Sequence, residues 1–325
     1  MKYAAVPGVR EEVSRIVFGT HLRQIMRGED CDALFDRILE LGVNTFDTAR
    51  VYGKSEETIG SWMERRGCRG KVVLLSKGGH PDPVLRRSRI SEKAIRRDFG
   101  ISAAKLRTDR IDIYLLHRDD PDTEVAVSVE TMNALQAEGK IGASGVSNWT
   151  HRRIEEAAEY AYAHNLTPFS VSSPFFSLAE QKKDPWGGGC VSIAGPKEKE
   201  AQNWYRKNGM AVFSYSSLAG GLLSGRVKSA EREKTANLLD SPYVKGYCCE
   251  ENFERLHRCE VLSGRKGCSV SQIALAYLFA QGINLFTIAA TSSGERMKEN
   301  CAALDLDLSE EECRWLNLET EKDPG

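Results

Sequence analysis

No stretch of this chain is apolar over the roughly 20 residues that a membrane-spanning helix needs. An excess of charge of one sign is also missing, since 45 Lys and Arg against 46 Asp and Glu leave a formal net charge of −1. A nearly neutral chain gives no electrostatic reason to expect nucleic acid or an acidic membrane as a partner. The amino terminus lacks the long apolar core of a secretion signal, so we expect a cytoplasmic protein.

Cysteine is present, but its spacing does not indicate a disulfide framework or a metal site. The nine cysteines are scattered, and an odd number cannot all pair internally. The adjacent Cys248 and Cys249 have no second pair at zinc-like spacing, so we predict no metal site. This usage fits a reducing compartment. The sequence also has no Gly-x-Gly-x-x-Gly motif at the start of an early helix, which weighs against a dinucleotide-binding open sheet.

What the chain does contain is an alternation of short apolar runs with longer amphipathic segments. Eight runs are typical of strands, at residues 15–19, 43–48, 72–76, 111–117, 141–148, 169–176, 210–216 and 285–290. Helices are predicted at residues 30–41, 55–66, 91–106, 124–138, 152–164, 197–208, 271–281 and 295–304, with a terminal helix at 310–318. The runs are mostly apolar on both faces, as buried parallel strands are. We therefore predict an α/β protein with a (β/α)8 TIM barrel as a single domain over residues 1–325, and an open doubly wound sheet is the alternative.

Two connections in this pattern are longer than simple links. They cover residues 181–196, which include Trp186, and residues 225–249. Long irregular segments in compact domains are usually lids or disordered pieces. Because both follow predicted strands on the presumed active face, we interpret them as lids, with surface loops that have no role as the alternative.

Four polar side chains stand at or just beyond the ends of three neighbouring apolar runs. They are Asp47, Tyr52, Lys77 and His117. If the three strands are neighbours in a parallel barrel, these side chains converge at its carboxyl-terminal end, where barrel enzymes keep their chemistry. Each residue alone has an ordinary explanation, such as a loop cap, a packing ring or a buried imidazole. Their occurrence together favours a shared chemical role.

A phenol, an ammonium, a carboxylate and an imidazole can together give a proton to a carbonyl oxygen while a hydride comes from elsewhere. The pKa of a free phenol is about 10, and a neighbouring ammonium lowers it because it favours the phenolate. Tyr52 would therefore act as general acid and base. Asp47 would hold Lys77 charged and oriented through a charge-assisted hydrogen bond. His117 would donate to the same oxygen and orient the substrate.

On these residues the chain resembles the aldo-keto reductase superfamily over nearly its whole length. The matching motifs are Phe46-Asp47-Thr48-Ala49-x-x-Tyr52-Gly53 with Glu56, Leu115-Leu116-His117, and Gly145-Val146-Ser147-Asn148. The resemblance implies a (β/α)8 barrel whose catalytic tetrad is Asp47, Tyr52, Lys77 and His117. It also implies a nicotinamide cofactor that is bound without a Rossmann domain and is usually the phosphorylated form.

The same resemblance implies a set of cofactor contacts. The nicotinamide carboxamide would meet Ser147 and Asn148, and Tyr215 would stack on the nicotinamide ring. Arg296 would meet the ribose 2′-phosphate, because a guanidinium suits several oxygens at once, and this favours NADP(H) over NAD(H). The full set of implied cofactor residues is Gly19, Thr20, Asp47, Ser147, Asn148, Tyr215, Ser216, Leu218, Gly220, Thr291, Ser292, Arg296, Glu299 and Asn300.

Two positions depart from the family pattern. Ser173 stands where the family usually has a glutamine against the nicotinamide. Ala289-Ala290 stands where a Pro-Gly pair or a phosphate-contacting lysine is often found. NAD(H) therefore stays an alternative to NADP(H).

Substrate choice is expected in the loops around the site, which vary freely on a fixed barrel. The candidates are His21, His80, Arg118 and Trp186. Such a polar rim indicates a hydroxylated or carboxylated substrate, for example a sugar, with solvated rim residues as the alternative. We predict an oxidoreductase that interconverts a small-molecule aldehyde or ketone and its alcohol. The alternative is a cofactor-sensing regulatory subunit with weak turnover, like channel β subunits, and the oligomeric state is left open.

Overall fold

In the computed structural model, which describes residues 1–82 and 87–325, eight parallel strands form a closed barrel. The barrel strands are β3 (Ile16–Gly19), β4 (Thr45–Asp47), β5 (Val73–Gly78), β6 (Ile111–Leu116), β7 (Ile141–Ser147), β8 (Val171–Ser173), β9 (Ala211–Ser214) and β10 (Leu285–Ala289). They follow one another around the barrel in chain order. A separate antiparallel pair, β1 (Tyr3–Ala4) and β2 (Val13–Ser14), precedes them. The predicted TIM barrel is confirmed.

Helices occupy most of the connections between these strands. They are α1 (Arg23–Arg27), α2 (Asp32–Glu40), α3 (Ser55–Arg66), α4 (Glu92–Leu106), α5 (Val125–Ala137), α6 (His151–Ala163), α7 (Lys199–Asn208), α8 (Thr235–Leu238), α9 (Ser241–Tyr247), α10 (Glu250–Lys266), α11 (Val270–Phe279), α12 (Gly294–Ala302) and α13 (Glu310–Leu316). Several begin at a serine, as at Ser91, whose hydroxyl accepts the Ala94 N–H at the start of α4. Within residues 1–82 and 87–325, no helix combines the length and apolarity that crossing a membrane requires.

The chain divides into two compact units. The first contains Met1–Ser173 and Ala290–Gly294, and the second contains Pro174–Ala289 and Glu295–Gly325. The description of residues 1–325 as one domain stays a prediction. The absence of a metal site also stays a prediction. Among the described residues, no group of three or more His, Cys, Asp or Glu side chains could hold a metal ion.

Strands β4, β5 and β6 are neighbours, and this adjacency positions the predicted catalytic residues. Thr45 pairs with Val73 across β4 and β5, and Leu75 pairs with Ile113 across β5 and β6. Every residue of these three strands is buried. Because parallel strands run in one direction, their carboxyl ends lie at the same end of the barrel.

The sixth barrel strand is shorter than predicted, since β8 ends at Ser173 rather than at residue 176. Pro174 follows it, and proline has no N–H for a ladder hydrogen bond. Beyond the proline, Phe175 forms isolated bridges with Ser192 and Tyr215 instead. The prediction extended the strand too far because the apolar run continues past the proline.

The long helix α10 was missed by the sequence analysis, and the segment 225–249, which was interpreted as irregular, contains the short helices α8 and α9. The buried side of α10 includes Arg255 and Arg258 between its apolar residues. These guanidiniums form ion pairs, Arg255 with Glu180 and Arg258 with Glu254. Buried charges interrupt the apolar stripe, so the sequence pattern of α10 resembles that of a solvated segment.

Candidate active site

Asp47 and Lys77 form a buried ion pair at the carboxyl ends of β4 and β5. Asp47 is 4% exposed and Lys77 is 3% exposed. The Lys77 ammonium donates to the Asp47 carboxylate, and it donates to the backbone carbonyl of Thr48 at 3.0 Å. Burial raises the pKa of the Asp47 carboxyl, and attraction to the Lys77 ammonium opposes that rise. The two bonds hold a positive charge in one place, where little water can screen it.

Tyr52 lies on the loop after β4, with its ring beside this ammonium. The distance from Lys77 Nζ to the centroid of the Tyr52 ring is 5.3 Å. The Tyr52 N–H donates to the Ala49 carbonyl at 2.9 Å, which makes a tight turn. The Arg50 N–H donates to the Lys77 carbonyl at 3.1 Å. The loop that carries the phenol is therefore tied directly to the strand that carries the ammonium.

His117 brings a buried imidazole to the same phenol. The ring centroids of Tyr52 and His117 are 5.8 Å apart, and the two planes meet at 78°. The His117 N–H donates to the Gly78 carbonyl at 2.7 Å, which fixes the residue at the end of β6. The structure thus brings the four predicted catalytic residues together.

Two of the predicted substrate residues adjoin this group. The ring of His21 meets the Tyr52 ring at a centroid distance of 4.8 Å, and the ring of His80 meets the His117 ring at 5.0 Å. Arg118 follows His117 directly and is half-buried. The rings of His21, Tyr52, His117 and His80 therefore adjoin one another in that order. The fold brings them together, since they come from four separate segments of the chain.

The His117 imidazole is held in its neutral form. Burial is the main reason that the pKa of His117 lies well below its usual value, and the positive charge of Lys77 lowers it further. Its Nδ1 is buried and has no hydrogen-bond partner among the described residues. A neutral imidazole with an unused ring nitrogen can form a hydrogen bond to a ligand.

We expect the neutral state of His117 to make the folded protein less stable as the pH falls below about 6.5, the ordinary pKa of histidine. In the unfolded chain this imidazole takes up a proton near that pH, whereas its lowered pKa keeps it neutral in the folded protein. The unfolded state then binds more protons, so the free energy of unfolding decreases with falling pH until the folded pKa is reached. His117→Asn should reduce this pH dependence.

Urea denaturation of the wild type and of His117→Asn, over a pH series from about 7.5 to about 5, measures the difference between their slopes. His257→Asn is the matched control, because it removes an exposed histidine on α10. If the wild type and His117→Asn lose stability in parallel as the pH falls, the buried imidazole is not the cause.

A buried carboxylate that the sequence analysis missed fixes two loops of this site. Asp98 on α4 is fully buried, and its Oδ1 lies 3.0 Å from Arg50 Nε on the loop after β4. Its Oδ2 accepts the Gly79 N–H at 3.0 Å, on the loop that carries His80, and Arg89 forms a further ion pair with it. The signal that could have found it is an acidic residue on the apolar side of an amphipathic helix.

Six of the predicted cofactor residues, besides Asp47, belong to the first unit: Gly19, Thr20, Ser147, Asn148, Thr291 and Ser292. The Asn148 side-chain amide donates to the His117 carbonyl at 3.2 Å and to the Ser147 hydroxyl at 3.0 Å. The Ser147 hydroxyl donates to the Ser173 carbonyl at 2.8 Å. The Ser-Asn pair is thus held beside His117, and Ser173 takes part through its backbone.

The other predicted cofactor residues belong to the second unit: Tyr215, Ser216, Leu218, Gly220, Arg296, Glu299 and Asn300. The backbone after Tyr215 is left-handed at Ser216, with φ 52°, at Ala219, with φ 49°, and at Gly220, with φ 62°. Left-handed non-glycine residues are uncommon and cluster where backbone binds a ligand. This loop therefore fits the approach of a phosphate group to main-chain N–H groups.

Gly220 also has a packing reason to be glycine. A Cβ atom there would come within 2.4 Å of the Tyr243 ring on α9. On α12, Arg296 and Glu299 are exposed and Asn300 is buried.

The remaining substrate candidate, Trp186, begins a row of aromatic rings within the second unit. Trp186 is 39% exposed, and its ring lies edge-to-face with Tyr243 at a centroid distance of 5.6 Å. The row continues through Tyr247 and Phe175 to Tyr215, with centroid distances of 6.2, 5.5 and 6.0 Å. Because Trp186 lies on the segment 181–196 and Tyr243 on the segment 225–249, the row joins the two long connections. Only the two ends of this row, Trp186 and Tyr215, were predicted from the sequence as site residues.

This chain is similar in sequence to known proteins over most of its length. The family model of the Aldo/keto reductase family matches residues 15–317. An aryl-alcohol dehydrogenase from Pestalotiopsis microspora is 27% identical, over 90% of this chain and 73% of that protein. A norsolorinic acid reductase from Emericella nidulans is 30% identical, over 87% of this chain and 70% of that protein. Protein tas from Escherichia coli is 27% identical, over 96% of this chain and 95% of its own length.

Proposed function

This chain belongs to the aldo/keto reductase family, whose members are oxidoreductases that generally use NAD(P)H, and from that premise we propose that it interconverts an aldehyde or ketone and the matching alcohol. We propose Tyr52 as the general acid and base and NADP(H) as the preferred cofactor. The observation that carries the proposal is that the Tyr52 ring lies 5.8 Å from the His117 imidazole and 5.3 Å from the ammonium of the buried Lys77–Asp47 pair.

The residues of the site divide the chemistry of carbonyl reduction among them. A bound nicotinamide would supply the hydride, and the carbonyl oxygen would then carry negative charge. Donors that are already aimed at that oxygen stabilise the charge best, because they need no reorganisation. Tyr52 gives its phenol proton to the oxygen, and the Lys77 ammonium stabilises the phenolate that remains. In the reverse direction the phenolate takes the proton of the alcohol.

Asp47 and His117 support this proton transfer in different ways. Asp47 orients the ammonium through a charge-assisted hydrogen bond, which is stronger than a neutral one. His117 donates a second hydrogen bond to the carbonyl oxygen and so orients the substrate. Its neutral state supports this role, because a neutral imidazole can donate without placing a second full positive charge beside the Lys77 ammonium.

The side chains and backbone that would hold the cofactor match the chemical groups of its different parts. In the first unit, Ser147 and Asn148 offer a hydroxyl and an amide for the carboxamide of the nicotinamide. In the second unit, the Tyr215 ring offers a stacking surface, and the loop with left-handed residues at Ser216, Ala219 and Gly220 suits the pyrophosphate. Arg296 is proposed for the ribose 2′-phosphate.

Arg296→Ala should weaken NADPH binding by about tenfold or more and leave NADH binding nearly unchanged. A hydrogen bond to a charged group contributes about 1.5–3 kcal/mol, and only NADPH carries the 2′-phosphate. Fluorescence titration with each reduced cofactor measures both dissociation constants. Lys298→Ala is the matched control, since it removes an exposed positive charge from the same helix. Equal weakening of both cofactors would refute the assignment of Arg296.

The proposed activity is tested by following the absorbance of NADPH and NADH with a panel of aldehydes, ketones, sugars and polyols. One relative is named for aryl alcohols and another for norsolorinic acid, so aryl aldehydes and aryl ketones belong in the panel. A large fall in turnover in Tyr52→Phe is the expected result. Tight cofactor binding without turnover of any substrate would instead favour the cofactor-sensing alternative.

A further inference from the structure

We propose that His80 accepts a hydrogen bond from the substrate and thereby selects carbonyl compounds that carry a hydroxyl group close to the carbonyl. This inference rests on the proposed carbonyl reduction and adds a substrate class to it.

His80 lies next to the groups that are proposed to act on the carbonyl oxygen. It lies two residues after the end of β5, is half-buried, and its ring meets the His117 ring edge-to-face at 5.0 Å and 77°. The His117 ring in turn lies 5.8 Å from the Tyr52 ring. His117 therefore adjoins both Tyr52 and His80, and on this basis we place His80 beside the carbons that neighbour a carbonyl group bonded by Tyr52 and His117.

The tautomer of His80 is set by its own backbone. Its Nδ1 lies 2.9 Å from the carbonyl oxygen of Pro81. A carbonyl oxygen can only accept a hydrogen bond, so Nδ1 must carry the hydrogen. Burial lowers the pKa of His80, so the ring is neutral near neutral pH. In a neutral imidazole with its hydrogen on Nδ1, Nε2 presents a lone pair and acts as an acceptor.

This acceptor is held in position before any substrate arrives. The Gly79 N–H, immediately before His80, donates to the fully buried Asp98 carboxylate at 3.0 Å. Pro81, immediately after, has a restricted backbone. His80 is thus anchored on both sides, and a group that is ordered during folding loses little further entropy when it binds a ligand.

An acceptor at this place distinguishes between substrates. The carbonyl oxygen has no hydrogen to donate, so His80 cannot recognise the reacting group itself. It can recognise an O–H on the carbon next to the carbonyl or on the carbon after that. The chemical class is therefore that of hydroxyaldehydes and hydroxyketones, including aryl aldehydes with a hydroxyl on the adjacent ring carbon. An analogue without the hydroxyl leaves the acceptor unpaired.

The test compares matched pairs of substrates, with and without the hydroxyl. The pairs are 2-hydroxybenzaldehyde with benzaldehyde, and 2-hydroxypropanal with propanal, each reduced with NADPH. The wild type should prefer the hydroxylated member of each pair by about tenfold or more in kcat/KM. His80→Phe keeps a ring but removes the acceptor, so the preference should fall to within about threefold of equality. His80→Gln restores an acceptor oxygen and should recover part of it.

The readout is the ratio within each pair, so a general loss of rate in a variant does not alter it. His257→Phe, at an exposed position on α10, is the control and should keep the full preference. If His80→Phe does not fold, His80→Ala gives the same comparison.

Equal kcat/KM for both members of each pair in the wild type would overturn the role of His80 while leaving carbonyl reduction in place. An unchanged preference in His80→Phe or His80→Ala would do the same. If the wild type reduces none of the four aldehydes and none of the wider panel, the proposed function itself fails, and the inference fails with it.

Discussion

Tyr52→Phe should lower the turnover of carbonyl reduction by about a thousandfold while NADPH still binds. The change removes one hydroxyl and keeps the ring that packs between His21 and His117. A positioned general acid typically contributes a factor of about 100 to 10,000 to the rate, so its loss should appear mainly in kcat. Absorbance of the reduced nicotinamide measures kcat, and fluorescence titration measures the dissociation constant for NADPH.

Two comparisons make the result for Tyr52→Phe specific. Tyr162→Phe removes an exposed phenol on α6 and should leave kcat unchanged. NADPH deuterated at the transferred position should give a larger isotope effect on kcat in Tyr52→Phe than in the wild type, because the chemical step becomes more strongly rate-limiting. Wild-type turnover in Tyr52→Phe would exclude this phenol as the proton donor.

Asp47→Ala should lower the free energy of unfolding by about 3–5 kcal/mol and abolish most turnover. The substitution leaves the Lys77 ammonium buried without its carboxylate, and removing one partner of a buried ion pair typically costs this much. The double variant Asp47→Ala/Lys77→Met removes both charges, so it should recover much of the lost stability. It should not recover turnover, because no ammonium remains to stabilise the phenolate.

Urea denaturation and the reductase assay, run on the same three proteins, separate the two effects. The ion pair of Arg65 with Asp32 is the surface control, since Arg65 is 51% exposed. Arg65→Met should change the free energy of unfolding far less than Asp47→Ala does, because exposed ion pairs contribute little to stability. A double variant as unstable as Asp47→Ala would show that the uncompensated charge is not the cause. Wild-type turnover in the double variant would show that the ammonium is not needed.

The barrel and the neighbourhood of the four catalytic candidates could be predicted from the sequence alone. Parallel strands that are buried on both faces leave continuous apolar runs, and this local pattern marks their positions and their ends. Consecutive strands are neighbours in a barrel, so Asp47, Lys77 and His117 had to meet once the fold class was known. The errors at β8 and α10 occurred where the pattern itself misleads, through an apolar run that crosses a proline and through buried arginines.

Sequence by itself determined the fold class and the catalytic candidates, because both depend on patterns within a few residues. Tertiary structure alone decided which groups support them. Asp98 contacts Arg50 and Gly79 only because α4 packs against both loops, and a buried charge that is compensated by such partners cannot be told from a surface charge in the sequence. The contacts of His80 with Pro81 and His117 are likewise matters of geometry, and they decide which of its nitrogens can meet a ligand.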